Sequence, residues 1–260
     1  MMPVLFVSHG APTLSLDPGE TGATWRKLGE QLRPASILVI SAHWETAIPT
    51  VSRAAHPETI HDFHGFPEQL YKLQYPAPGA PELARSVASA LQQAGIAVQQ
   101  DDTRGLDHGA WVPLSLMYPQ ADIPVTQLSL QPDQDPAWHI ALGRALRPLR
   151  EQGVLIIGSG AITHNLGALF RHPQGEPVSA WVTEFCDWIA GRIAEGDIAA
   201  LAGYRTQAPH AAQNHPTDEH LLPLFVALGA ADDLRHARRE NSVMTYGILA
   251  MDVWVFDAEL

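Results

Sequence analysis

Three short hydrophobic runs in this chain each lead to a histidine. They are Val4-Leu5-Phe6-Val7-Ser8-His9, Ile37-Leu38-Val39-Ile40-Ser41-Ala42-His43, and Val154-Leu155-Ile156-Ile157 continuing through Gly158-Ser159-Gly160 to His164. Imidazole titrates near neutral pH, so it can take or give a proton, and its neutral form is the commonest metal ligand. Three imidazoles brought into one crevice would be the start of a metal site.

The runs themselves say how that could happen. Each is rich in β-branched residues and almost continuously apolar, as strands buried on both faces of a parallel sheet are. In open α/β sheets, ligands bind outside the carboxyl ends of the strands, where all three histidines would sit. Strands are expected at about 3–8, 36–41, 123–130 and 154–159, with a short one at 96–98 and an extended piece at 49–53. Helix-like stretches at about 23–31, 80–94, 135–150 and 178–195 alternate with them, and 242–256 suits a closing strand or hairpin. Residues 55–79 are rich in Pro, Gly and His and read as a lid or binding loop. Thr217 is placed to cap a further helix whose first turn holds Asp218, Glu219 and His220. The expected fold is one α/β domain over residues 1–260, a largely parallel central sheet flanked by helices, with the metal site at the carboxyl ends of its strands.

The chain has 13 histidines, an excess that alone decides little because surface and hydrogen-bonded core histidines are common. His9 and His43 stand out because each follows a buried strand and a small residue, Ser8 or Ala42, although loop carbonyls would satisfy them equally well. Gly10 suits a sharp bend after His9. His164 follows Gly158-Ser159-Gly160, read here as a flexible turn or anion nest; no Walker lysine and no GxGxxG accompany it. Adjacent helical residues point about 100° apart, so His220 and Glu219 are not expected to face one metal together. His108 lies beside Trp111, and Asp107 either orients a histidine or caps the next helix. His56, His61, His64 and His215 are weaker loop candidates, and His139, His172, His210 and His236 read as ordinary surface or helix residues.

Bulk properties exclude several functions. A net charge of −12 without a basic stripe opposes binding to nucleic acid or anionic membranes. The lone Cys186 lies in a helical pattern and reads as a core thiol. A strand from residue 3 leaves no room for a signal peptide, and no apolar run reaches membrane-spanning length. A cytoplasmic enzyme is expected, and a homo-oligomer is compatible with the sequence.

Taken in order, Ser8-His9-Gly10-Ala11-Pro12, Ser41-Ala42-His43-Trp44, His61-Asp62-Phe63-His64-Gly65-Phe66-Pro67, Tyr75-Pro76-Ala77-Pro78-Gly79, Leu106-Asp107-His108-Gly109, the Gly158–His164 region with Asn165-Leu166, and Glu219-His220-Leu221-Leu222-Pro223 form a specific set. The chain resembles the class III extradiol ring-cleavage dioxygenases, in the DOPA 4,5-extradiol dioxygenase-like branch. The resemblance implies His9, His43 and His220 as metal ligands, with Glu219 as the substitute for the third. It implies His164 as the base near the metal and a fourth ligand when substrate is absent, and His108 as a substrate contact and proton donor. It further implies Fe(II) for activity, a catechol and O2 as partners, and a muconic semialdehyde product. Zn(II) suits the same nitrogens but has no redox chemistry.

Three other classes compete. A zinc-dependent hydrolase would need a carboxylate base, for which Glu45 and Glu219 are available. A catalytically silent metal-binding protein of this fold would be expected to have lost ligands, and a tetrapyrrole chelatase would leave His43 and the 61–67 segment without a role. Trp44, Phe63, Phe66, Tyr71 and Trp111 are the candidate walls of a ring slot, and Arg53 and Arg104 the candidate partners for a substrate carboxylate.

Overall fold

The computed structural model describes residues 1–171 and 177–257; His172 lies outside them. The strands are β1 (Val4–Ser8), β2 (Ser36–Glu45), β3 (Thr50–Ser52), β4 (Gln99–Asp101), β5 (Val125–Leu130), β6 (Val154–Gly160), β7 (Arg238–Asn241), β8 (Met244–Thr245), β9 (Leu249–Ala250) and β10 (Val253–Phe256). Eight of them form one sheet in the order β4-β3-β5-β2-β6-β1-β10-β7, and β8 pairs with β9 in a small hairpin. The central β5-β2-β6-β1 block is parallel. Antiparallel pairings flank it, β3 with β5 on one side and β10 with β1 on the other.

The apolar runs are continuous because both faces are covered. Val4, Phe6, Leu38, Ile40 and Ile156 point to one layer, and Leu5, Val7, Ile37, Val39, Leu155 and Ile157 to the other. The first layer contains α2 (Pro81–Gln93), α4 (Pro136–Leu146), α6 (Ala180–Glu195) and α10 (Leu222–Ala230); the second contains α1 (Gly19–Gln31) and α3 (His108–Met117). Each fully buried Val, Leu, Ile or Phe contributes roughly 1.5–3 kcal/mol, so this two-sided core fixes the strand ends that carry the site. Shorter helices, α5 (Leu166–Leu169), α7 (Ile198–Ala202), α8 (Tyr204–Gln207) and α9 (Ala211–Asn214), complete the chain. Among the described residues no helix is long and apolar enough to cross a membrane.

Several local expectations change. Gly158-Ser159-Gly160 is the buried end of β6, not a flexible turn. A Cβ on Gly158 would lie 2.3 Å from the Pro223 carbonyl oxygen, and one on Gly160 2.1 Å from that of His220. Glycine is required there because the 220–223 backbone packs directly onto the strand. Thr217 caps nothing; α10 begins at Leu222, after a turn in which the Leu221 and Leu222 amides donate to the Asp218 carbonyl. The helix expected at 135–150 gives way at Arg147 to a 3-10 segment, where Pro148 cannot supply an amide. The short strand at 96–98 falls instead at Gln99–Asp101, and the polar 206–218 stretch holds α9 and the end of α8.

Candidate metal centre

His9 follows β1 directly, and Gly10 makes the bend with φ +62°. The His9 ring is buried, with Nδ1 3.0 Å from Ser159 Oγ. The Ser159 hydroxyl already donates to the Gly109 carbonyl at 2.5 Å, so it accepts the His9 Nδ1 proton and leaves Nε2 as a bare acceptor. His43 lies near the end of β2, where Ser41 Oγ accepts from its amide at 3.2 Å. Its Nδ1 faces Asp62 Oδ2 at 3.5 Å, a placement that favours the proton on Nδ1 and the lone pair on Nε2. These two Nε2 atoms lie 3.0 Å apart.

His220 arrives from the turn held on β6, its carbonyl accepting from the Ala161 amide at 2.7 Å. Its Nδ1 lies 2.9 Å from Glu219 Oε1. Because His220 sits in a turn and not a helix, the 100° argument against Glu219 sharing the site does not apply. Glu219 reaches the cluster as the partner of the His220 ring.

The donor nitrogens of His9, His43 and His220 all lie within 4.8 Å of one another. Two groups overlap this triad, His43 with Asp62 and His108 on one side, and His220 with Glu219 and His164 on the other. Burial lowers the pKa of His9 and His220 well below the usual value, and neighbouring imidazoles push in the same direction. Burial, with His108 adding to it, brings His43 to about 4 despite opposition from Asp107 and Asp62. At neutral pH these imidazoles are uncharged. A cation fits between them: two nitrogens bound at about 2.1 Å and at right angles on one ion lie about 3 Å apart.

The flanking imidazoles are held just as firmly. His164 stacks on His220, with ring centroids 3.4 Å apart and planes 8° from parallel, and its Nδ1 is 3.9 Å from Glu219 Oε1. Burial lowers its pKa, and Glu219 opposes the shift. His108 opens α3, and Asp62 Oδ1 accepts from both its amide and its Nδ1 at 3.0 Å. Burial tends to raise the Asp62 pKa, but the His108 hydrogen bonds and charge overcome this and hold it at about 2. Asp107 caps α3 at Ala110 and accepts from Ser41, Gln127 and Arg104. It aligns β2 with α3 without touching a histidine ring.

All five histidines line one cavity of about 950 Å³. Sequence reasoning missed Asp62; its only signal was its place between His61 and His64. Of the proposed aromatic walls, Phe63 and Phe66 line the cavity. Trp44 instead lies under the Arg104 guanidinium, Trp111 is buried with Nε1 donating to Ile60, and the Tyr71 hydroxyl meets the Phe66 amide. Arg53 is bound to Asp102 and Arg104 to Asp107, both away from the cavity. Among the weaker histidines, His61 contacts the Leu73 carbonyl and His215 the Ile162 carbonyl, while His64 reaches the cavity wall. A hydrolytic base is hard to find, because Glu219 serves His220 and Glu45 joins none of the ligating groups.

The chain is similar to known proteins over nearly its whole length. Residues 3–255 match the family described as the catalytic LigB subunit of aromatic ring-opening dioxygenase. A 4,5-DOPA dioxygenase extradiol of Beta vulgaris is 44% identical over 252 residues, covering 93% of each chain. Its namesake in Escherichia coli K12 is 40% identical over 235 residues, covering 89% of this chain and 86% of the relative. The crystal structure of an uncharacterized Escherichia coli K12 protein has a TM-score of 0.81 and 33% identity, and the match covers 98% of this chain and 100% of that one. The chain belongs to the family of the catalytic LigB subunit of aromatic ring-opening dioxygenase and is an extradiol ring-cleaving enzyme.

Proposed function

We propose that His9, His43 and His220 hold one Fe(II), and that His164 and His108 move the protons of a catechol bound beside it. The observation that carries this reading is the meeting of ring nitrogens of three histidines, each of whose opposite nitrogen faces a hydroxyl or carboxylate. Such partners fix the tautomer of metal-bound histidines and strengthen them as ligands. Bound there, Fe(II) would supply open coordination positions and the one-electron chemistry that joining O2 to an aromatic ring requires.

The remaining work falls to the chain. His164 is neutral at working pH and lies on the cavity wall, so it takes a proton from a catechol hydroxyl. Glu219 stands close enough to stabilise the resulting imidazolium. His108, backed by the ionised Asp62, carries a proton at the opposite side of the cluster and returns it as the ring opens. Phe63 and Phe66 offer an apolar flank to the ring and exclude water from it. Both oxygen atoms of O2 end in the product, a muconic semialdehyde. DOPA, for which the relatives are named, heads the catechols to be tried. The one thiol, Cys186, is buried and free, which suits a reducing compartment such as the cytoplasm.

The test is to strip the protein of metal, reload it with Fe(II) without oxygen, and then admit O2 with a panel of catechols. A yellow semialdehyde with one O2 consumed per ring supports the proposal. Absence of oxygen uptake with iron, together with hydrolysis by the zinc form, contradicts it.

A further inference from the structure

We infer that Tyr246 is a specificity-determining residue, its phenol holding the polar end of a side chain carried by the catechol; this rests on the proposed seating of the catechol at His9, His43 and His220. The cavity of about 950 Å³ is far larger than a single aromatic ring needs, which leaves room along its wall for a ring substituent. Tyr246 lines that wall. It sits in the turn between β8 and β9, where the Ile248 amide donates to the Thr245 carbonyl at 3.3 Å. Tyr246 has φ +54° and Gly247 φ +70°, so both central residues of the turn are left-handed. Such turns are usually built from Asn-Gly or Asp-Gly, because a bulky side chain in the left-handed region is strained.

Packing does not offset that strain, because Tyr246 is 60% exposed. Other groups hold the turn. The Thr163 hydroxyl donates to the Ile248 carbonyl and accepts from the Ala250 amide, both at 2.8 Å, and the Ser179 amide donates to the Gly247 carbonyl at 3.2 Å. Thr163 adjoins His164, so these bonds fix the turn against the segment that carries the proposed base. A strained residue held open at the mouth of a ligand cavity points to a contact with the ligand. The polar chemistry of the wall narrows that contact. Apart from the five clustered histidines and Asp62, the polar side chains among the described lining residues are Thr163, His64 and Tyr246. Thr163 is engaged by the hairpin, and His64 has no comparable backbone strain. The Tyr246 hydroxyl both donates and accepts, so it suits an ammonium or a carboxylate at the end of the side chain.

Calorimetric binding to the zinc-loaded protein, which opens no ring, separates recognition from turnover. The probes are catechol, 4-propylcatechol and L-DOPA. Tyr246→Phe should weaken L-DOPA about three- to tenfold, the share of one hydrogen bond, and leave the other two probes within about twofold. Tyr246→Asn suits the turn but removes the reach of the phenol. It should weaken L-DOPA about tenfold or more, and raise the melting temperature of the metal-free protein by about 2–4 °C. The inference is overturned if Tyr246→Phe weakens all three probes alike or none of them, or if Tyr246→Asn fails to raise the melting temperature. It is equally overturned if the unaltered protein binds L-DOPA no more tightly than catechol, or if His64→Ala and not Tyr246→Phe singles out L-DOPA. Should catechol itself fail to bind the unaltered zinc-loaded protein, the proposed seating falls, and this inference with it. Catechol bound as expected, with the Tyr246 variants indistinguishable from the parent, would sink the inference alone.

Discussion

The two ends of the central sheet both bury polar groups, but they balance them in opposite ways. At the amino end of β1 and β6, the fully buried Arg150 donates through Nε to the Met2 carbonyl and through Nη1 to the Ala230 carbonyl, Asp232 and Asp257. Donors there meet acceptors, so the chain start, α10 and the end of β10 are clasped together. At the carboxyl end two imidazole nitrogens, His9 and His43 Nε2, face one another 3.0 Å apart. One end is clasped by the chain's own groups, and the other would be joined by the proposed cation.

The comparison can be broken first at the carboxyl end. His164→Ala should lower kcat by about 10²–10⁴, the usual contribution of a positioned general base, while iron content by atomic absorption stays near one per chain. If the variant loses its iron, His164 belongs among the ligands and the division of labour proposed here is wrong. At the clasp, Arg150→Met leaves Asp257 and two carbonyls without their donor. Urea unfolding should show a loss of about 3–5 kcal/mol, with metal affinity of the folded protein unchanged. A change below about 1 kcal/mol would mean the clasp is decorative.

An imidazole away from both ends separates simple burial from clustering. His139 on α4 contacts the Asp135 carbonyl, and burial brings it to about 4, below the ordinary 6.5 of an unfolded chain. The unfolded state therefore binds the extra proton first, and stability falls as pH drops from about 6.5 to about 4. The expected loss is about 3 kcal/mol. His139→Gln should make that part of the stability-versus-pH curve shallower by this amount, the clustered imidazoles accounting for the rest; an unaltered curve would show that His139 does not contribute. The smallest effect is expected at Ser159→Ala, which removes the partner of His9 Nδ1 and should weaken metal binding by roughly 10–100-fold. Unchanged affinity in competition with a chelator would deny Ser159 its orienting role.

His9 and His43 were legible because strands buried on both faces announce themselves as continuous apolar runs, and a residue just past such a strand must emerge at the sheet's edge. His108 was flagged by its loop, and Asp107 as its neighbour, but the cap at Asp107 and the ring partner at Asp62 are separate jobs that spacing does not assign. Asp62 lies 46 residues from His108, and no local periodicity carries such a contact. The role of Gly158 and Gly160 was misread for a similar reason. A glycine pair looks the same in sequence whether it frees a turn or lets distant backbone approach a strand, and only the position of residues 220–223 decides. The helical rule against His220 and Glu219 sharing one metal fails because the helix starts three residues after Glu219, at Leu222. The arginines proposed for a substrate carboxylate were chosen by charge alone, and both turned out to be bound to aspartates.

The central claim is that one metal ion sits between His9, His43 and His220. The most direct test is anomalous diffraction at the iron edge from crystals loaded with Fe(II) under anaerobic conditions. The account predicts a single peak within bonding distance of the three histidines, with Ser159, Asp62 and Glu219 on the far side of their rings. A peak centred instead among His43, Asp62 and His108, or among His164, Glu219 and His220, would contradict it.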